Sequence, residues 1–153
     1  KTTWKLKLVG PMQSSFQLYL EKFFEHNPEL RDRIDVVGNV TDEKILYDIY
    51  SKSKVFVLPS RWESFGLVLL EALERGNFLI VSDKIPSIKD ISNNGKYCEI
   101  VMVDDIEGLS NAMLRSTKYE FSSTEKKEKS KWVLDNFSWK QIALKCSLYL
   151  QEG

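Results

Sequence analysis

The chain has 153 residues, a length that fits one domain with a sizeable core, and its 22 Lys and Arg balance its 22 Asp and Glu. A formal charge of zero leaves nothing to neutralise a phosphate backbone in bulk, which excludes nucleic acid as the main partner. A hydrophobic fraction of 42% with 12% aromatic residues is too apolar for a disordered chain.

The first ten residues, Lys1 to Gly10, lack the basic, apolar and small-residue succession of a signal peptide. No apolar run reaches the ~18–20 residues of a spanning helix, so the expectation is a cytoplasmic protein. Lys1, where a Met would start a chain, suggests a piece of a longer protein. Leu6 and Leu8 alternate with Lys5 and Lys7 ahead of Val9-Gly10-Pro11, which predicts a strand over 5–9 stopped by a Gly-Pro breaker. Phe16, Leu20, Phe23 and Phe24 then recur at helical spacing until Asn27-Pro28, an amphipathic helix over 13–26 with His26 facing solvent. Ile34-Asp35-Val36-Val37-Gly38 reads as a second strand. Thr41-Asp42-Glu43-Lys44 supplies the cap and acidic first turn of a helix whose buried stripe is Ile45, Leu46, Ile49 and Tyr50.

Val55-Phe56-Val57-Leu58 shows no alternation, as in a parallel strand buried on both faces. After the loop 59–65, Leu67 to Leu73 form a nearly all-apolar helix that closes at Gly76 and must be buried. Phe78-Leu79-Ile80-Val81 is the next strand and Glu99 to Val103 the last, before Asp105 opens a helix carrying Ile106, Leu109 and Met113. Strands near 5–9, 34–37, 54–58, 78–82 and 99–102 are expected in one open parallel sheet of Rossmann-like type with helices on both faces. Helices over 123–136 and 138–151 make residues 123–152 a helical tail to a single domain, 1–153. Cys98 and Cys146 are isolated from each other and from His26, which predicts two reduced core thiols and neither a disulfide framework nor a metal site.

Ligands of open α/β sheets bind outside the carboxyl ends of the strands. There the loop Pro59-Ser60-Arg61-Trp62-Glu63-Ser64-Phe65-Gly66 places a carboxylate, Glu63, just ahead of a buried helix, and a second carboxylate, Glu71, interrupts that helix's apolar run. An unpaired buried carboxylate is costly, so Glu71 must find hydrogen-bond donors, either a nearby Arg or Lys or a ligand. At helical rise the eight positions from Glu63 to Glu71 span at most ~12 Å, comparable with the separation of the two sugars in a nucleoside diphosphate sugar. Between them the helix N-terminus at Phe65-Gly66-Leu67 offers free N–H groups and a dipole suited to a diphosphate, and Gly66 lets the backbone come close.

The string from Val57 to Leu73, with Glu63 and Glu71 eight positions apart, resembles the E-x(7)-E motif of retaining glycosyltransferases of GT-B fold, family 4. Leu8-Val9-Gly10, Val37-Gly38-Asn39-Val40, Asp104 to Leu109 and Asn136-Phe137-Ser138-Trp139 follow in the family's order, so the resemblance covers essentially the whole chain. It implies the C-terminal, donor-binding half of a GT-B enzyme. The N-terminal half lies outside the chain, as does the first strand with its Arg and Lys grip on the diphosphate. The strands ending at Val9 and Leu58 then lack their usual neighbour. The donor substrate is a nucleoside diphosphate sugar, and neither a further cofactor nor a metal is expected. By the family's pattern Glu63 contacts the donor sugar near the reacting carbon as the catalytic residue, and Glu71 accepts from the ribose hydroxyls. Amides around Phe65, Gly66 and Leu67 serve the sugar and diphosphate, main-chain groups at Asn39 and Val40 meet the base, and Gly10 completes the donor-binding set. The implied function is sugar transfer to a saccharide, lipid or glycan precursor, in a full-length enzyme peripheral to a membrane. The alternative is a non-catalytic GT-B-like module. A flavodoxin-like signalling domain would need acidic residues at the first strand ends, where Gly10-Pro11 and Gly38-Asn39 offer none. Alone, the chain is expected to be inactive and to self-associate through its tail.

Overall fold

The computed structural model describes residues 3–151. Contacts gather the described residues into two compact units, divided between Leu46 and Tyr47.

In the first unit β1 (Leu6–Val9) is followed by α1 (Ser14–His26), a short 3-10 turn (Pro28–Leu30) and β2 (Ile34–Gly38). The two strands run parallel, with Leu6 opposite Ile34 and Leu8 opposite Val36, and an irregularity after Leu8 sets Val9 against Gly38. Lys7 and Asp35 form an ion pair across this ladder, exposed enough to contribute little. The Arg33 guanidinium donates to the Trp4 carbonyl and fixes the strand entry. α1 buries Leu20 and Phe24, but Phe16 of the predicted stripe is exposed. His26 faces solvent, with Nδ1 2.7 Å from the Lys22 carbonyl oxygen. Asp42, one residue past Thr41, caps the next helix by accepting from the N–H groups of Lys44 and Ile45.

α2 (Glu43–Lys52) leads into the second unit, where Tyr50 is buried; Ile45, placed in the same stripe by its spacing, is exposed. There follow β3 (Val55–Leu58), α3 (Leu67–Glu74), β4 (Phe78–Ser82), α4 (Ile88–Ile91), β5 (Cys98–Val101), α5 (Ile106–Ser116), α6 (Ser123–Phe137) and α7 (Trp139–Gln151). β4 is central, with β3 and β5 parallel on either side. The expectation of one sheet through all five strands is therefore corrected: among the described residues there are two, β1–β2 and β3–β4–β5. An apolar pattern reports that a strand is buried and leaves open which strand it pairs with. Position in the sheet also explains β3, whose residues are half-buried on both faces because it is an edge strand, while β4 is buried almost throughout.

Ile80 and Val101 pack with Ala112, Leu109 and Met113 of α5 on one face. Leu79 and Val81, of opposite parity, are also fully buried, and α3 packs on β4 through a face carrying Leu69, Ala72 and Leu73. The rest of α3 departs from the all-buried expectation, since Leu67 is exposed and Val68 and Leu70 are half-buried. α6 packs on α3, and α7 on α6. Of the predicted tail, Glu152 lies outside the described residues. Cys98 is half-buried, where burial pushes its thiol up. Cys146 is exposed, so its reading as a core thiol is corrected: it rides on α7, none of whose described side chains is buried. Among the described residues no helix is long and apolar enough to cross a membrane.

Candidate functional site

Parallel strands bring every strand-to-helix connection of the second unit to one sheet edge. The loop 59–66 after β3 is held there by its neighbours. The Ser82 hydroxyl at the end of β4 donates to the Ser60 carbonyl, and the Ser87 hydroxyl donates to the Phe65 carbonyl. Arg61 donates through Nε to Asp104 Oδ1 at 3.0 Å, in the connection after β5. The Phe65 ring meets Phe137 of α6 edge-on, with centroids 6.4 Å apart. A loop without secondary structure is thus fixed at both ends and from the side.

Gly66 ends the loop and caps α3 in the left-handed region, φ +81°. A Cβ there would sit 2.9 Å from Leu69 Cδ1 and 3.4 Å from Glu63 Cγ, so both conformation and space call for glycine. No side chain caps α3. Among the described residues the N–H groups of Phe65, Gly66, Leu67 and Val68 have no hydrogen-bond acceptor, which leaves a helix N-terminus free for an anion.

Glu63 and Glu71 flank this terminus, and both are half-buried. Glu63 folds back on its own loop, Oε1 accepting from the Ser64 N–H at 3.0 Å. Glu71 finds its donor in Tyr50, whose hydroxyl lies 3.2 Å from Oε2; no ion pair to Glu71 is present among the described residues. Of the two partners considered from sequence, Arg or Lys or a ligand, neither is a phenol. Burial first, then the Glu71 charge and the hydrogen bond to it, and then Tyr47, hold the Tyr50 hydroxyl well above the ordinary phenol range, so it stays a donor. Because α3 begins only at Leu67, the ~12 Å bound drawn from helical rise does not cover the stretch from Glu63 to Gly66.

The structure therefore brings Glu63, Phe65, Gly66 and Leu67 together at one sheet edge of the second unit, while Glu71 lies further along α3, against Tyr50 of α2. Gly10, Asn39 and Val40 belong to the first unit, at the carboxyl ends of β1 and β2. Gly10 donates its N–H to the Gly38 carbonyl at 2.8 Å and borders an open cavity of about 520 Å³ formed by Leu8 to Gln13 and Phe16. Sequence reasoning missed Tyr50 as a site residue and the tethers Ser82, Ser87 and Asp104; a serine at a strand end or in a loop is too common to single out, and Tyr50 read only as core. Among the described residues no group of three or more His, Cys, Asp or Glu is placed to hold a metal.

The family model described as glycosyl transferases group 1 matches residues 1–131. The chain is 28% identical over 141 residues to the serotype-specific mannosyltransferase WbdA of Escherichia coli, an alignment covering 92% of this chain and 16% of that protein. The structure superposes on sucrose-phosphate synthase from Thermosynechococcus elongatus with a TM-score of 0.75 at 27% identity, covering 97% of this chain and 38% of that one. It also superposes on HepE of Anabaena, solved in complex with UDP, with a TM-score of 0.74 at 16% identity, covering 98% and 41% of the two chains. The chain thus spans well under half the length of these proteins.

Proposed function

The chain belongs to the group 1 glycosyl transferases, and from that premise we propose that it forms the donor-binding part of an enzyme that transfers a sugar from a nucleoside diphosphate sugar to an acceptor with retention of configuration. One observation carries the reading: two half-buried carboxylates, Glu63 and Glu71, flank a helix N-terminus whose amides are free. A carboxylate accepts from a diol and a helix N-terminus holds an anion, so the edge offers what a ribose, a diphosphate and a sugar require. UDP in HepE supports the same ligand class. In this proposal Glu71 accepts from the ribose hydroxyls, the amides of Phe65, Gly66 and Leu67 hold the diphosphate and sugar, and Glu63 leaves Ser64 to contact the donor sugar. The reacting bond parts a sugar cation from a diphosphate anion, and the helix N-terminus stabilises the charge that develops on the leaving group. Gly10, Asn39 and Val40 keep the donor contacts that the resemblance gives them as a separate proposal, since they belong to the other unit. The acceptor is a saccharide, lipid or glycan precursor, met by the rest of a cytoplasmic protein at a membrane surface.

The test is made on the full protein. Glu71→Ala should weaken the nucleoside diphosphate and its sugar alike, by the ~1.5–3 kcal/mol of a hydrogen bond to a charged group, measured by calorimetry. Glu63→Ala should lower turnover and keep nucleotide affinity. Unchanged affinity in the Glu71 variant would refute the ribose role, and donor binding without any turnover would favour the non-catalytic module.

A further inference from the structure

We propose that Tyr50 is a positioning residue for Glu71: its hydroxyl holds carboxylate oxygen Oε2 and leaves Oε1 as the acceptor for the ribose diol. The inference rests on the donor-site reading above.

The geometry assigns the two oxygens different tasks. Oε2 receives the Tyr50 hydroxyl at 3.2 Å, whereas Oε1 has no hydrogen-bond partner among the described residues. A glutamate has several rotatable bonds, and ordering it only when ligand arrives would subtract from affinity. Tyr50 removes that cost because it is itself held. It is 5% exposed, its ring lies edge-on to Phe56 of β3 at 5.6 Å, and its carbonyl accepts from Asn77 Nδ2 at 2.8 Å. Asn77 also donates to the Ser53 carbonyl at 2.7 Å, so the last turn of α2 is pinned against the start of β4. Tyr50 thus transmits the rigidity of the sheet to a side chain on α3.

A phenol suits this task better than a cation. Lys or Arg beside Glu71 would neutralise the carboxylate and compete with the diol for its lone pairs. A neutral donor fixes one oxygen and leaves the negative charge to strengthen the bond the other oxygen makes. Burial of the hydroxyl beside a carboxylate keeps it protonated, so the donor is present throughout the neutral range.

The experiment measures, in the full protein, the affinity for whichever of UDP, GDP or ADP binds and for its 2′,3′-dideoxy counterpart, the deoxynucleotide that lacks both hydroxyls of the diol. The wild type should prefer the ribonucleotide, and Glu71→Gln should lose that preference. Tyr50→Phe, which removes one oxygen and keeps the ring, should reduce the preference about three- to tenfold while leaving affinity for the deoxynucleotide unchanged. The deoxynucleotide arm reports the folded, binding-competent fraction, so a merely structural role of Tyr50 would lower both affinities equally and overturn the proposal. If Glu71→Gln abolishes the preference and Tyr50→Phe keeps it, the positioning role falls and the donor-site reading stands. If the wild type binds none of the three, or Glu71→Gln keeps the preference, both fall.

Discussion

Lys129 is a charge where the fold has little use for one. It lies on α6 at 3% exposure, its Nζ 5.8 and 5.6 Å from the ring centres of Phe78 and Phe121 and 3.4 Å from the Gly76 carbonyl oxygen. Desolvation holds the ammonium below the usual lysine range, outweighing the Glu125 and Glu128 charges that favour it. Cation–π attraction of about 0.5–2 kcal/mol returns part of that cost. Lys129→Met, which keeps the stem and removes the charge, is therefore expected to raise stability at neutral pH. The pH dependence has a definite sign. With the folded-state pKa depressed, the penalty on the protonated lysine is complete at neutral pH and is relieved as pH rises from the folded value to the unfolded one, so the advantage of the variant should narrow toward pH ~10.5. Denaturant midpoints at pH 7 and pH 10 check both statements; a wild type more stable at pH 7 would mean that the aromatic rings win. At this scale legibility was uneven. Glu71 could be singled out because a carboxylate in an apolar run is anomalous on its face. Its partner could not, because Tyr50 sits 21 positions away and its hydroxyl leaves no mark on hydrophobic periodicity. Lys129 was hidden for the opposite reason, inside a mixed-charge run that reads as a solvated face.

The packing of α6 on α3 turns on a single glycine. Gly76 has φ +88°, and a Cβ there would lie 2.1 Å from Lys126 Cγ and 2.9 Å from Lys126 Cβ, the root of a side chain that cannot swing clear without moving its helix. Gly95 has the same φ with open space around it. Ala at Gly95 should cost only the left-handed conformation, about 1–2 kcal/mol, while Ala at Gly76 adds a steric clash and should cost at least ~1 kcal/mol more. Thermal or urea unfolding of the two variants separates the terms, and equal losses would mean that α6 yields freely. Elements themselves were largely readable. All five strands, and the helices at 14–26, 67–74, 106–116 and 123–137, fall close to the segments that periodicity, breakers and caps predict. The short Pro28–Leu30 and Ile88–Ile91 turns escaped because three or four residues are too few for a period to emerge. The Ser122–Glu125 capping box that opens α6 is legible in the sequence as S-x-x-E. Strand pairing was legible only in part: the resemblance leaves the strands ending at Val9 and Leu58 short of a neighbour, and β1 and β3 each pair on one side, but each strand's composition is compatible with more than one partner.

At the scale of the whole molecule, α7 is the element that the rest of the described chain does not account for. Its contacts are with α6, yet Trp139 is 85% exposed and Leu144, Leu148, Tyr149 and Leu150 are exposed as well. At about 100° per residue Trp139, Ile142, Tyr149 and Leu150 share one face of the helix, while Leu144 and Leu148 lie across from them. Two apolar stripes on one helix exceed the scattered single hydrophobes that surfaces tolerate, and a helix none of whose described side chains is buried gains little from packing. The 153 residues alone are therefore expected to associate through α7 as concentration rises. Trp139→Lys with Tyr149→Lys tests one stripe and Leu144→Lys with Leu148→Lys the other; light scattering across a concentration series should show the associated species reduced by whichever pair carries the contact. Helix propensity is little changed by these substitutions, so loss of α7 itself would appear separately in circular dichroism. In the full protein the same pairs distinguish a covered face from a free one: a drop in unfolding temperature means that further chain packs on α7, and an unchanged one means that the stripe faces water there too. A chain that stays monomeric at every concentration, with α7 intact, would show that both stripes are tolerated in water and would end the expectation of self-association.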